Sequence, residues 1–490
     1  MAYGTSIVLP QLPSFTGYTF NGWNDIPATM PAENVTLTAS FTINSYLLTF
    51  IVKVDGEVQE TITDSIRYNE AIVAPEMTDI EGYTFSGWNN VLDRMPANDV
   101  TIQGEYTLNT TQTDDQGLIY SLNKQRDAFE VSDYTEDLRS EIVVPEQLFG
   151  LPVNAIQDRA LTDALELNAI TIPTSITTVG KRVFRGCDNL LVVEWNAEAT
   201  LSSSPFGKME DFVNMLIFTT SSNKIEGTVR NLIVDSVAEQ IVLTDGYPFR
   251  NPRNFTAQSI NFIREFTKKT RIGEVGGWEA MVLPFDVERV VSETRGELKP
   301  FGQADFTTSL PYWVAQIQND GTFVFVDSIK ANAPFIMELP NSDEYEDRYN
   351  VEGKVTFGAE NVTVHTTIDV NQKNGDGYMM LGNYEGMSTD RYVYALNDDE
   401  YTSDGNSYMA GSIFVANSRD IRPFEAYVYS NQVVPAPYLR IASEGLTDIR
   451  EFTTENSQFT IYDLMGRCIL NTDNLKGGVY IVNGKKVVIK

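Results

Sequence analysis

The stretch Ile156–Leu190, IQDRALTDALELNAITIPTSITTVGKRVFRGCDNL, superposes on the chain's own continuation when shifted by 23 residues. Ile156 then falls on Val179, Ala160 on Val183, Leu161 on Phe184, Leu167 on Leu190 and Ile170 on Val193, apolar on apolar each time. A period of about 20–29 residues with apolar side chains in fixed slots predicts a solenoid, because each short coil can bury its apolar face only against the next. A chance pattern in an ordinary β-rich domain is the competing reading, since two copies are visible where stacking needs about three. Upstream, Gly117–Leu122 (GLIYSL) and Ala128–Val131 (AFEV) predict a capping hairpin that leads into Ile142–Pro145 (IVVP). After Trp195 the pattern decays, and Asn231–Val237 and Glu239–Asp245 are strand-like segments that continue or close the stack. A solenoid presents a regular surface to protein or glycan ligands; a stack this short otherwise serves as a connector.

Ile170–Trp195, ITIPTSITTVGKRVFRGCDNLLVVEW, resembles the leucine-rich repeats of the BspA-like surface protein family. On that resemblance residues 117–250 form a leucine-rich region with its caps.

A second, longer repeat precedes it. Gly17–Phe41, GYTFNGWNDIPATMPAENVTLTASF, and Gly82–Tyr106, GYTFSGWNNVLDRMPANDVTIQGEY, lie 65 residues apart with about half of their positions identical. The second copy begins near Tyr46 with the strand-like YLLTFIVKVDGEV, and the first has no counterpart of it. The reading therefore expects the repeat array to continue upstream, together with an export signal. The GYTF-x-GW and MPA signatures resemble the Listeria–Bacteroides repeat, the small β-grasp-like module of internalin B-repeats. The resemblance implies a partial repeat at 1–45, a second at 46–110, and a spacer role. Tyr18, Phe20 and Trp23, with Tyr83, Phe85 and Trp88, are the expected core of modules this small, each buried aromatic being worth about 2–3 kcal/mol. An exposed Trp stacking on a sugar is the alternative. The polar run Thr107–Gln116 reads as a linker.

At 490 residues, with 42% apolar side chains, the chain has material for several cores and predicts about three to five domains. A net charge of −31 and a pI near 4.4 repel phosphate backbones, so nucleic acid is not an expected partner. Solubility explains the acidity, as would a surface that takes up divalent cations. Cys187 and Cys468 fall in different predicted domains and are not expected to pair; Cys187 occupies an apolar slot as a small buried hydrophobe. Two cysteines and one histidine build no Cys/His zinc site, and no apolar run reaches the length of a membrane span.

Residues 251–435 read as a β-sandwich body. Tyr312–Gln318 and Thr322–Asp327 predict a hairpin across Asn319-Asp320-Gly321, and Lys354–Val370 alternates with period two. The lone histidine, His365, is predicted on the solvated face of that strand beside Thr363 and Thr367, opposite Val362, Val364, Thr366 and Ile368. It has no GxSxG elbow to serve, and no phosphate-binding glycine loop is present. No catalytic, cofactor or metal residues are therefore assigned. A carboxylate pair for glycoside hydrolysis stays open among 67 acids. Asp369, Asn371, Asn374 and Asp376 approach a calcium loop, although an Asn374-Gly375 turn explains them more simply.

Asp64-Ser65-Ile66, Asp235-Ser236-Val237 and Asp327-Ser328-Ile329 resemble Bacteroidetes O-glycosylation sites, at a frequency near chance. The last residues, FTIYDLMGRCILNTDNLKGGVYIVNGKKVVIK, hold two strands flanking Asn483-Gly484, a type I′ hairpin signal. They resemble the C-terminal sorting domain of type IX secretion substrates in Gly466, Arg467, Gly477, Tyr480, Lys485 and Lys486. That implies a β-sandwich sorting domain at 440–490, read by the secretion machinery. The combined expectation is a mainly β, multidomain surface protein, extracellular and outer-membrane-attached or secreted, binding a host protein or glycan. A glycan-binding or glycan-active protein with its site in 273–430, or a ligand-free spacer, are the alternatives.

Overall fold

The computed structural model describes residues 1–441 apart from 272–274, 306, 318–322, 369, 371–376, 404 and 433–434, and the backbone of four strands between 461 and 489. The described residues are almost entirely strands and turns, with a single 3-10 turn at Met209–Asp211. The chain divides into two compact units, residues 1–113 with 120–126, and 114–119 with 127–490.

In the first unit the two repeats share one frame. Tyr18–Trp23 pairs antiparallel with Ala39–Ile43, and Tyr83–Trp88 pairs with Val100–Leu108 in the same register. Tyr18 opposes Ile43 as Tyr83 opposes Leu108, and both hairpins shift register before the Trp. The polar frame also recurs: Thr19 donates to Asn44 Oδ1 and Thr84 to Asn109 Oδ1, each at 2.6 Å. Only the second copy has the hairpin Ser45–Val54/Glu57–Arg67, turned at Asp55 and Gly56 with φ of 47° and 88°, values that a type I′ turn requires. Its first strand lies parallel to Val100–Leu108, giving a four-stranded sheet over Leu48, Phe50, Ile72, Met95 and Ile102.

Trp88 seals that core edge-on to Phe50 at 4.9 Å and donates Nε1–H to Pro75 O at 3.0 Å. In the first copy the expected core aromatics lie on an open face: Tyr18 and Phe20 are 44% and 43% exposed, because only the two-stranded ribbon is there to bury them. One residue, Asn44, separates Ala39–Ile43 of the first copy from Ser45–Val54 of the second. The predicted linker Thr107–Gln116 is largely structured as well. Thr107 and Leu108 end a strand, Thr111–Thr113 forms another, and buried Gln112 donates to Gly82 O at 2.7 Å.

The second unit opens with the solenoid. Glu141–Val143, Ala169–Ile172, Val192–Trp195, Leu216–Thr219 and Leu232–Val234 pair parallel and in sequence, so that Ile142, Ile170, Val193, Ile217 and Leu232 form one row. A second parallel row runs through Val131, Ile156 and Val179, and an isolated parallel bridge joins Leu201 to Ile225. Phe129–Tyr134, expected in a cap, is therefore the first rung of this second row. Of the ten residues in the sequence repeat, nine are buried and Val179 is half-buried. Coil-to-coil bonds stitch the turns: Arg159 N–H to Lys181 O, Asp163 N–H to Arg185 O, and Cys187 Sγ–H to Leu161 O at 3.0 Å. Gly180 lies against the coil before it, where an added Cβ would come within 2.4 Å of Asp158 N.

The sheet that the solenoid begins continues past residue 250. Leu232–Val234 turns into Val237–Thr244, which pairs parallel with Phe255–Glu265, itself antiparallel to Lys354–Val364. One sheet of 14 strands thus runs from Glu141 through the body, and one cluster joins Val192, Leu216 and Phe218 to Phe262, Val314 and Phe357. The expected boundary at 250/251 falls inside this sheet. The sheet is mixed, with Gly296–Pro300 also parallel to Leu310–Ile317. The hairpin expected between Tyr312 and Asp327 forms, Ala315 opposing Phe325, while its turn residues lie outside the described ones.

Across three adjacent strands the buried side-chain parity switches at one level. Ala238 is followed inward by Ile241, Ala257 by Ile260, and Ala359 by Val364, the pairing passing over Glu239, Gln258 and Asn361. Such a bulge layer coils the sheet where it changes from solenoid to body.

A five-stranded antiparallel sheet, Tyr378–Asn383, Glu425–Ser430, Val393–Leu396, Ile413–Ala416 and Tyr438–Arg440, packs on this wall. Trp278, Ala280, Trp313 and Ile336 meet Tyr394, Leu396, Phe414 and Val428 between the layers, completing the sandwich. Pro435-Ala436-Pro437 feeds its last strand, and Tyr394 Oη donates to Ala436 O at 2.7 Å. Near the C-terminus, Gly478–Val482 and Lys485–Ile489 form the expected hairpin, with Ile461–Asp463 and Cys468–Ile469 beside it.

Candidate binding surfaces

A leucine-rich stack offers two strand faces. On the first row the outward side chains are Glu141 and Val143, Ala169 and Thr171, Val192 and Glu194, then Leu216 and Phe218. The chain covers this face itself from the third strand on. Arg253 ion-pairs with Glu194 and lies 4.0 Å above the Phe218 ring, and Arg250 pairs with Glu141 at 2.5 Å. Val192, Leu216 and Phe218 are consequently buried. The broad face expected of a solenoid is reduced to its first two strands.

The second row carries a polar depression of about 260 Å³. Glu130, Asn154, Gln157, Asp158, Thr177 and Thr178 line it. Gln157 donates to Glu130 at 2.8 Å, and Asp158 Oδ1 accepts Lys181 N–H at 2.7 Å. Asn154 Oδ1 is buried without a hydrogen-bond partner. Leaving such an acceptor bare costs about 1–3 kcal/mol. The depression thus brings carboxylates, amides and hydroxyls together on one surface. The sequence could have indicated it, since Asn154 and Thr177 lie 23 residues apart, one repeat period. Where the second row ends, a groove of about 620 Å³ of mixed character opens, lined by Ile225, Val229 and Val242 together with Arg230, Asn231 and Glu239.

In the body, Tyr401, Tyr408 and Tyr438 cluster at ring separations of 5.5–6.3 Å. The Arg440 guanidinium lies 4.9 Å from the Tyr408 ring centroid.

His365 is not on a solvated strand position. Lys354–Val364 ends before it, and its N–H donates to Pro284 O at 2.7 Å in a half-buried bend. The alternation stops there because Asn251 takes over the backbone: its side chain donates to His365 O, and Thr367, expected outward, is buried as the Oγ1 acceptor of Asn251 N–H.

The buried acids are arranged for ion pairing. Glu279 accepts from Arg264 and from the N–H groups of Thr267 and Lys268. Burial opposes its charge, but Arg264 and Lys268 outweigh that and hold the carboxyl near 2. Glu425, buried but paired with Arg419, is also held below its ordinary range. Neither can keep the proton a glycosidase acid must donate at neutral pH. Among the described residues no group of three His, Cys, Asp or Glu is placed to hold a metal ion, and no helix is long and apolar enough to cross a membrane. The calcium candidates Asp369, Asn371, Asn374 and Asp376 lie outside the described residues. So do Gly466, Arg467 and Gly477, while Tyr480 opposes Val487, and Lys485 and Lys486 oppose Val482 and Ile481.

Comparison with known proteins bears on the N-terminal unit. Residues 1–44 and 46–113 match the Listeria–Bacteroides repeat domain family. Internalin H of Listeria monocytogenes is 33% identical over 126 residues, a stretch covering 22% of this chain and 22% of that protein. A Gly-rich membrane protein of Evansella cellulosilytica is 26% identical over 192 residues, covering 36% of this chain and 22% of that one. The chain thus spans about a fifth of the length of each relative. Among solved structures, a leucine-rich repeat protein of T. pallidum aligns with 28% of this chain and 76% of its own, at 19% identity and a TM-score of 0.18.

Proposed function

We propose that this is an exported surface protein that binds an extracellular protein or glycan through the second row of its leucine-rich block. The Listeria–Bacteroides repeats act as a spacer. The observation that carries the reading is the polar depression, which gathers Glu130, Gln157, Asp158, Thr177 and Thr178 on a repeated scaffold. The repeat family match and the likeness to internalin H support a place at the cell surface. Binding of the full chain to arrayed extracellular-matrix proteins and glycans tests it. Thr177→Arg, which fills the depression from an exposed position, is expected to abolish the signal; a binder insensitive to it overturns the site.

Export follows the same proposal. The C-terminal strands act as a type IX sorting domain of a Bacteroidetes protein, with Gly466, Arg467, Gly477, Tyr480, Lys485 and Lys486 read by the secretion machinery. The support is the sequence pattern and the antiparallel strands on which Tyr480, Lys485 and Lys486 lie. Deleting residues 461–490 is expected to hold the protein in the periplasm, and undiminished surface labelling of the deletion strain would sink this.

A glycan-binding body is the second reading, favoured by the Tyr401–Tyr408–Tyr438 cluster, since aromatic faces stack on sugars. Glycan binding lost in Tyr438→Ala and kept in Thr177→Arg moves the function there. Silence on both arrays makes the ligand-free spacer the better account.

A further inference from the structure

Lys268 and Asp398 belong to the two opposed sheets of the body. Lys268 follows Phe255–Glu265 on the large sheet, and Asp398 follows Val393–Leu396 on the small one. Their side chains meet at 3.1 Å, Nζ to Oδ1, with side-chain exposures of 5% and 26%. The contact is not a hydrogen bond: Asp398 Oδ1 is buried and has no hydrogen-bond partner despite the ammonium beside it. The other oxygen, Oδ2, accepts from Arg422 and lies 2.9 Å from Arg419 Nε. Glu279 Oε2 stands 3.9 Å from the lysine Nζ.

The lysine stem is confined on one side. Its stem passes Gly411, where an added Cβ would be 2.9 Å from Lys268 Cδ and 2.4 Å from Trp278 O. Gly411 also has φ of 69°, so both its conformation and its smallness keep this channel open.

We propose that Lys268 and Asp398 form an intramolecular amide cross-link between the two sheets. The new bond joins Nζ to Cγ. The Cγ–Oδ1 bond breaks, and Oδ1 leaves as water with two protons of the ammonium. The ion pair therefore becomes one amide and one water, with no oxidant and no further reactant. Arg422 stays as the donor at Oδ2, where charge gathers in the tetrahedral intermediate, and the Arg419 guanidinium adds its positive charge beside it. Fixed neighbours react at effective concentrations of about 10⁵–10⁸ M, which offsets the ordinary reluctance of a carboxylate to acylate an amine.

Condensation also removes two charges from a poorly solvated place where their mutual geometry is bad. What remains is matched: Arg264 with Glu279, and Arg419 with Glu425. Burial lowers the Lys268 pKa to about 8, so about a tenth of it is free amine at pH 7. Glu279, ionised and close to Nζ, is a positioning residue that holds the amine against the carboxyl.

Intact-mass measurement of the folded full chain decides this. The cross-linked protein is lighter than its sequence formula by one water, and trypsin releases a branched peptide joining the Lys268 and Asp398 segments. Lys268→Arg keeps the charge but restores the full formula mass. A succinimide at an Asp-Gly step such as Asp55-Gly56 or Asp245-Gly246 loses the same water, but its peptides stay linear and it persists in Lys268→Arg. A wild-type protein at full mass, or a lost water that maps elsewhere, overturns the proposal. The wild-type mass alone suffices even where the variant fails to fold.

Discussion

Trp88 and Cys187 show how far single residues could be read. Both were assigned to cores from pattern alone, and both lie there. Trp88 is half-buried against Phe50 and Phe85. Trp88→Ala is expected to cost about 3 kcal/mol, the lower end for a large aromatic because part of the ring already meets water; an unchanged melting transition of the N-terminal unit refutes it. Cys187 is fully buried, and burial pushes its thiol up to about 12. Raised above its unfolded value, the thiol contributes stability that is present below about pH 9 and is lost as pH rises toward 12. Cys187 is therefore expected to resist alkylation at pH 8 until the protein unfolds, as peptide mapping after a timed iodoacetamide pulse would show. His365 was misread because period-two alternation says nothing about where a strand stops. The Asn251 side chain that ends the pattern is 114 residues away in sequence.

At the scale of the coil, the fold was legible where spacing is regular and lost where it drifts. Rows one period apart were visible because Ile170 and Val193 fill equivalent slots. The next rung, Leu216–Thr219, is out of step by one residue, Ile217 lying 24 beyond Val193, and the one after it, Leu232, comes only 15 residues beyond Ile217. A fixed-period search passes over both. Apolar periodicity does not reveal the depression, whose signal is the polar pair Asn154 and Thr177 at the same 23-residue spacing. Gly180 tests the stacking itself. In Gly180→Ala the new methyl collides with the backbone of Asp158, which cannot retreat without opening the coil. The expected loss is on the order of 2–3 kcal/mol, read from chemical denaturation with tryptophan emission, Trp195 lying in the adjoining coil. An unchanged midpoint would mean that the coils are not in register.

Over the whole molecule, the mainly β, multi-sheet architecture was readable from composition and turn spacing, but the fusion of solenoid and body was not. Each half alone has the pattern of a domain, and only the pairing of Val237–Thr244 with Phe255–Glu265 shows that they share a wall. Excising residues 113–248 therefore removes part of a core as well as a surface. It takes Leu216, Phe218 and Ile233 out of a cluster that includes Phe255, Phe262 and Phe357. The excised chain is expected to aggregate or to lose its cooperative transition. A soluble product with a sharp calorimetric peak would show that the body stands alone.

The single residue between the two N-terminal repeats has a mechanical meaning. A strand of one module passes into a strand of the next through Asn44 alone, so neighbouring modules are coupled by extended backbone instead of a hinge. Bending such an arm means distorting peptide geometry and the ladders beside it, a far stiffer mode than rotating about a flexible tether. Reach then grows in steps of one 65-residue module. Inserting one residue at Asn44 would turn the following module over, because side chains alternate faces along a strand. A junction of this kind fixes both the spacing and the facing of the second repeat relative to the first.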